Sequence, residues 1–390
     1  MKAQMFNKPR LPSHYYVWSE PPDELGDESL HFVSELRRIK LKGHSFREFE
    51  RRVIPLLDGE HTLEEIGRTV EDVFAFNDLA AALELLAAQN LLEDGQVQGL
   101  GDAAAARLTP QFNFFHEVGL DAFEMKRRLS AAKVTVFGLS GAGGGIVDSL
   151  AAAGVGTIRI VDSLQVSAAD VYLSFGFSGS DVGLRRTSVV GRRMAERSPD
   201  ARLEIVTDDI TTDEAVDGVI DGSDFVVCCL DAGQSSLIYK LNRACIKKNI
   251  RWSSCALSGT EVTVGPTVHP HKTPCYLCFK MRAVACAGNP EDAFALEKML
   301  DKRKQDDSSQ RENLVFGAGV AANMLALETF REIVGLTPVP TLGKVVIFNL
   351  LDMSTSKHVV LRKPWCPACY SAKPEEEDRR DDELSQAEGL

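Results

Sequence analysis

The residues best suited to chemistry lie in two patterns. The first is KVTVFGLSGAGGGIVDSLAAAGVGTIRIVD, which runs from Lys133 to Asp162. It reads as a strand, a glycine turn, a helix and a second strand ending on an acid. In the best frame Gly138 permits a tight turn, the small Ser140 and Gly141 let backbone approach a phosphate, and Gly143 allows close helix–strand packing. The helix start would point free N–H groups at an anion. Asp162, at the end of the second strand, could accept ribose hydroxyls. The alternative is a turn that closes the fold and binds nothing.

The second pattern is a pair of cysteine knuckles. TPCYLCFK carries Cys275 and Cys278, and KPWCPACY carries Cys366 and Cys369. Two thiolates separated by two residues can hold one metal from a tight turn, and two such pairs suit a tetrahedral four-thiolate zinc site. Four thiolates fill the coordination sphere, so such a zinc is structural. A redox role does not fit, because neither pair stands at the strand-to-helix junction after an early strand. Cys228, Cys229, Cys245, Cys255 and Cys286 read as core or incidental.

These residues need a scaffold. From Lys133 to about Cys369 strands and helices alternate. VTVFG, TIRIVD, RLEIVTDDI, DFVVCCLD and IRWSSCAL are the strand candidates, and runs such as FVVCCL suit parallel strands buried on both faces. The expected fold is α/β, a Rossmann-like doubly wound sheet. GKVVIFNLLDMSTSKHVVLRK reads as a late antiparallel hairpin, and EDAFALEKMLDKRKQDDSSQREN as a helix-and-loop excursion over the active face.

Ahead of this lies a smaller α+β module, winged-helix-like. Residues 30–41 alternate as two strands joined near Glu35. Phe46, Phe49, Val53 and Leu56 keep helical spacing, and Asp58-Gly59 ends it. Thr62 with Glu65 forms a capping box. DLAAALELLAAQNLLEDG supplies a third helix. The expected domains are 1–95 for this module, 96–130 for a linker (GQVQGLGDAAAARL) and lead-in helix, 131–372 for the large domain and 373–390 for a disordered acidic tail.

With 390 residues and a net charge of −12, the chain is large enough for two cores and is poorly suited to nonspecific nucleic-acid binding. The one helix pair that could read DNA is acid-rich, with Glu64, Glu65 and Glu71. No apolar run approaches the roughly 18 residues of a membrane span, and no secretory h-region is evident. The expected compartment is the reducing cytoplasm, where nine cysteines argue against a disulfide framework.

Taken together, the glycine turn, LAAAGVGTIRIVD, a later DVG with basic residues, an aspartate after a buried strand and two CxxC pairs resemble the ThiF/ubiquitin-activating-enzyme superfamily. The resemblance covers about Lys133 to Cys369. It implies a domain that binds ATP with magnesium and adenylates a carboxylate. LLDGEHTLEEIGRTV and ALELLAAQNLLEDG resemble the leader-peptide recognition domain of ribosomal-peptide maturation enzymes. The two domains in this order resemble the leader-binding component of azole-forming cyclodehydratases, which presents a precursor peptide to a separate ATP-using YcaO protein. A second group with similar domains makes nucleotide-microcin and pantocin products.

The resemblance assigns Asp231 as the magnesium-linked acid and places Arg186 at a lysine position that keeps its charge. It also exposes departures. Asp170 stands at the family's asparagine, and Leu173 stands where an arginine contacts the triphosphate. The arginine that follows the magnesium acid is missing, with Lys240 the nearest substitute. A leucine cannot neutralise a phosphate, and each lost contact in a dry site costs about 2–4 kcal/mol of transition-state stabilisation. These losses favour a leader-binding protein that docks on a YcaO cyclodehydratase. The alternative is an ATP-dependent enzyme that adenylates its own bound peptide. A nicotinamide oxidoreductase fits neither the zinc clamp nor the first module. The family also implies pairing, as a homodimer or hetero-complex. A leader would add to the edge strand near Arg37 to Leu41, with Arg37, Arg38 and Lys40 meeting its acids and the third helix taking its apolar side chains. These charges could equally solvate an edge strand and discourage aggregation.

Overall fold

The computed structural model describes residues 6–95, 102–230, 234–303 and 313–370. The chain divides into two compact units, Met1–Arg127 and Arg128–Leu390.

In the first unit β1 (Pro9–Arg10) precedes β2 (Tyr16–Glu20), β3 (Glu28–Val33) and β4 (Arg38–Gly43). The last three form an antiparallel sheet in the order β2-β3-β4, which leaves β4 at an edge. The Ser34–Arg37 turn joins β3 to β4, as the alternation around Glu35 predicts. Helices α1 (Phe46–Arg52), α2 (Leu63–Thr69) and α3 (Phe76–Ala88) cover the sheet's apolar face. Leu30 and Phe32 meet Val53, Ile66, Val70, Leu79 and Leu83 there. The expected capping box starts α2: Glu65 N–H donates to Thr62 Oγ1 at 3.3 Å, and Thr62 N–H donates to Glu65 Oε2 at 2.8 Å. A two-residue strand β5 (Glu93–Asp94) pairs with β1.

The expected linker is partly helix. α4 (Asp102–Glu117) begins within GDAAAARL and runs through Pro110 into the lead-in segment, followed by α5 (Ala122–Ala131). The alanine run lacks an apolar stripe but has the highest intrinsic helix propensity, which decides the conformation here. Residues 96–101 and the expected acidic tail lie outside the described residues.

The second unit begins β6 (Lys133–Phe137), α6 (Ala142–Ala152), β7 (Thr157–Val161), α7 (Ala168–Leu173) and α8 (Arg186–Arg197). It continues β8 (Arg202–Val206), α9 (Asp213–Ile220), β9 (Phe225–Cys228), α10 (Ser235–Lys248), β10 (Arg251–Ser258) and β11 (Glu261–Val264). It closes with α11 (Tyr276–Ala285), α12 (Pro290–Arg303), α13 (Val315–Val334), β12 (Lys344–Asn349) and β13 (Thr355–Val359). All eight strands form one mixed sheet in the order β13-β12-β11-β10-β9-β6-β7-β8. The span β8-β7-β6-β9-β10 is parallel, and β11 to β13 are antiparallel. β12 and β13 are the expected hairpin, and β11 is a short strand the sequence pattern did not reveal. The chain winds from β6 outward through β7 to β8 and then restarts on the other side at β9. The switch point between β6 and β9 is where open α/β sheets bind ligands.

Candidate functional site

The glycine turn is built by close approach. Gly138 has φ +81°, and a Cβ there would stand 2.4 Å from the Cys229 carbonyl oxygen. A Cβ on Gly143 would stand 1.8 Å from the Gly138 carbonyl oxygen. Neither position tolerates a side chain, so the turn presses backbone to backbone between β6, α6 and the end of β9.

Asp162 locks the turn. Its Oδ2 accepts from Leu139 N–H at 2.8 Å, and its Oδ1 accepts from Leu164 N–H at 2.8 Å. Arg186 lies 3.5 Å from the same carboxylate and donates to both oxygens of Asp170 at 2.9 Å. Asp170 also accepts from Ser140 Oγ and from the Ser167 amide, each at 2.8 Å. Asp170 is fully buried and Arg186 is 2% exposed. Burial pushes the Asp170 carboxyl up, but the Arg186 guanidinium and the Ser167 and Ser140 donors outweigh it and hold the group below its ordinary range. One buried cation thus ties the turn, α7 and α8 together.

A cavity of 400 Å³ opens at the switch point. Its size lies in the range of small-molecule sites. Ser140, Gly141 and Ala142 form one wall, and Leu173, Leu257 and Ala318 face them from α7, β10 and α13. Cys228, Cys229, Leu230 and Cys255 complete the floor. Among the described residues that line it, none is charged. Burial pushes the Cys228 thiol up to about 12, so it stays protonated.

The structure therefore divides the expected nucleotide residues. Ser140 and Gly141 reach the cavity. Gly138, Gly143, Asp162 and Arg186 stand behind it and shape it. Asp231 lies outside the described residues. Leu173 lines the wall. Lys240 donates to the Thr211 carbonyl and is not among the lining residues. Sequence reasoning missed Leu257, Tyr276 and Ala318, which reach the cavity from segments over 100 residues from the turn. It also missed Asp301 on α12. Its carboxylate accepts from the Ser235 and Ser236 amides at 2.9 and 3.0 Å, and so caps α10 beside the cavity.

The four knuckle cysteines converge as expected. Their Sγ atoms all lie within 4.8 Å of one another, and all four are buried. Three separations are 3.9, 3.8 and 3.6 Å. A tetrahedral zinc with thiolates at about 2.3 Å needs sulfurs about 3.8 Å apart. The Lys363 N–H also donates to Cys278 Sγ at 3.4 Å. Arg282 donates to the Leu361 and Arg362 carbonyls, which pins the second knuckle to α11. The set can hold a metal ion.

In the first unit the three basic candidates part company. Arg37 donates to the Gln89 and Asn90 carbonyls at 2.6 and 3.1 Å, closing the end of α3, and to the Tyr15 hydroxyl at 3.2 Å. Lys40 pairs with Glu20 at 3.0 Å. Arg38 is exposed on the edge strand. Behind the Ser34–Arg37 turn, His14 meets Glu117 of α4 at 2.6 Å. Burial pushes the Glu117 carboxyl up, but donors from Ser34, His14 and Tyr15 hold it below its ordinary value. Burial, aided by nearby His14 and Arg37, pushes the His116 imidazole down from 6.5 to about 4.

No helix among the described residues is long and apolar enough to cross a membrane. A sulfur carrier protein adenylyltransferase of Thermus thermophilus is 25% identical over 250 residues, covering 63% of this chain and 85% of that protein. The HesA protein of a Nostoc species is 28% identical over 251 residues, covering 64% and 89%. Among solved structures, Escherichia coli MccB with MccA-N7isoASN superposes with a TM-score of 0.66 at 18% identity, over 93% of this chain and 99% of that one. PaaA superposes with a TM-score of 0.64 at 15% identity, over 90% and 99%. The model of the ThiF family matches residues 108–368, two thirds of the sequence, and the chain belongs to that family.

Proposed function

We propose that this protein is an ATP-dependent ThiF-type enzyme that activates a carboxylate or amide of a peptide held by its first unit. The observation that carries the reading is the 400 Å³ cavity at the β6/β9 switch point, walled by the glycine turn. Two likenesses support it. The Thermus thermophilus relative is named an adenylyltransferase, and MccB, similar over nearly its whole length, has been solved with ATP and with MccA. The cradle fits a nucleotide: backbone fills the space a Cβ would take at Gly138 and Gly143. Ser140, Gly141 and the start of α6 would meet phosphate oxygens. Asp162 would hold the ribose side of the turn, and Asp231 would hold magnesium. Arg186 acts as a positioning residue, through Asp162 and Asp170. ATP supplies an adenylyl group that turns a poor leaving group into a good one. Zinc on Cys275, Cys278, Cys366 and Cys369 is structural in this reading.

A second reading is favoured by one observation: among the described residues the cavity wall carries no cation, and Arg186 is committed to two carboxylates. In this reading the protein captures a precursor peptide's leader on β4 and α3 and presents it to a YcaO-type cyclodehydratase. ATP–pyrophosphate exchange with the full-length protein separates the two. Exchange stimulated by a cognate peptide supports the enzyme. Peptide binding without exchange, and complex formation with a YcaO protein, supports presentation. Light scattering with and without peptide reads whether a homodimer or hetero-complex forms.

A further inference from the structure

Cys229 and Cys255 were expected to be incidental, yet they meet in the wall of the cavity. Their Sγ atoms are 3.4 Å apart, and both residues line the 400 Å³ space. The pairing follows from the sheet. β9 and β10 run parallel with Cys228 beside Ser254, and the next residues, Cys229 just past the end of β9 and Cys255 on β10, follow that register. Side chains level with each other on adjacent parallel strands point to the same face. Adjacent strands lie about 4.8 Å apart, within the Cα separation of about 4.4–6.8 Å that a disulfide spans. Cys255 is partly exposed and Cys229 is 6% exposed, so a small molecule entering the cavity meets Cys255 first. Cys228 lines the same cavity but is only 1% exposed. Cys228 and Cys245 are fully buried, and burial pushes both thiols up.

We propose that Cys229 and Cys255 form an oxidisable dithiol, a modification site for small hydroperoxides that closes to a disulfide across the cavity wall. The Cys255 thiol loses its proton to water, and its sulfur attacks the outer peroxide oxygen. The O–O bond breaks, and the departing alkoxide or hydroxide takes up a proton. The product at Cys255 is a sulfenic acid. The Cys229 sulfur then attacks that sulfur, the S–O bond breaks, and the hydroxyl leaves as water with the Cys229 proton. In sum, two thiols and one hydroperoxide give one disulfide, one alcohol or water, and one further water. The sulfurs need to close from 3.4 Å to about 2.05 Å. The inference does not depend on what the cavity binds.

The test treats metal-loaded full-length protein with a stepwise excess of hydrogen peroxide. Cross-linked peptides are read by mass spectrometry, and metal release is read by a chelating dye. A peptide holding Cys229 joined to one holding Cys255, formed before metal release and reversed by dithiothreitol, is expected. Cys255→Ser and Cys229→Ser should each abolish the cross-link. Its persistence in Cys229→Ser, through Cys228, would overturn the pairing. So would sulfinic acid at Cys255 without a cross-link, or metal loss before any cross-link forms.

Discussion

Arg186 shows how one side chain can carry a structural load at a candidate active site. It lies between Asp162 and Asp170, out of water and bonded to both. Removing one partner of such a pair leaves a buried charge, which costs about 3–5 kcal/mol. Arg186→Ala should lower the unfolding free energy by that amount in urea titrations, and Arg186→Lys by less. The Asp170 carboxyl has a folded value below its ordinary 3.8. Its contribution is therefore present above pH 3.8 and disappears as pH falls through the lower folded value. Asp170→Asn should flatten this part of the acid limb in melts followed across pH. His116 has the same sign for a different reason. Burial depresses it from 6.5 to about 4, so the unfolded chain binds a proton that the folded chain refuses. Stability of the first unit should decline as pH falls from 6.5 to about 4, and His116→Phe should remove that slope. Arg37 adds a caution about reading charge from sequence. It carries the charge expected of a peptide contact, but its guanidinium closes the end of α3.

At the scale of elements, the junction of β6 and α6 depends on Gly143. Alanine in a helix is ordinarily favoured over glycine by up to about 1 kcal/mol. Here its methyl would enter the Gly138 carbonyl, 1.8 Å away, and the helix would have to leave the strand. Overpacking of this kind costs about 1–3 kcal/mol, so the clash wins. Gly143→Ala should lower the melting temperature and weaken nucleotide binding by calorimetry, with metal content unchanged. The cysteine clamp makes the opposite separation. It ties the segment after β13 to the start of α11. A structural zinc contributes on the order of 10 kcal/mol to folding. Metal analysis should find about one zinc per chain, and Cys366→Ser should reduce it and lower the unfolding midpoint sharply. Zinc-free protein that melts at the original temperature would reject the clamp.

At the scale of the molecule, the division between Arg127 and Arg128 assigns α4 to the first unit. Its Glu117 and His116 pack with His14 and Tyr15. A fragment of residues 1–127 should therefore fold more stably than one of 1–95, which exposes that cluster; circular dichroism melts of the two decide it. Much of the architecture was readable from the chain. The capping box, the glycine turn, the parallel strands and the late hairpin each depend on a few consecutive residues, whose allowed dihedrals and apolar period leave one outcome. The CxxC pairs were readable because thiol spacing limits the chemistry. The start of α4 was not, because an alanine run has no apolar stripe to mark it. Tertiary structure alone decided where the charges went. Arg186 could have faced a ligand or a carboxylate, and Arg37 a partner or a helix end. Desolvation and pairing settle such choices, and both depend on which distant segments meet. The same holds for the cavity, whose wall joins Ser140, Leu257 and Ala318 across the fold. Short-range rules thus determined the elements, and long-range burial determined what each charged or sulfur-bearing side chain does.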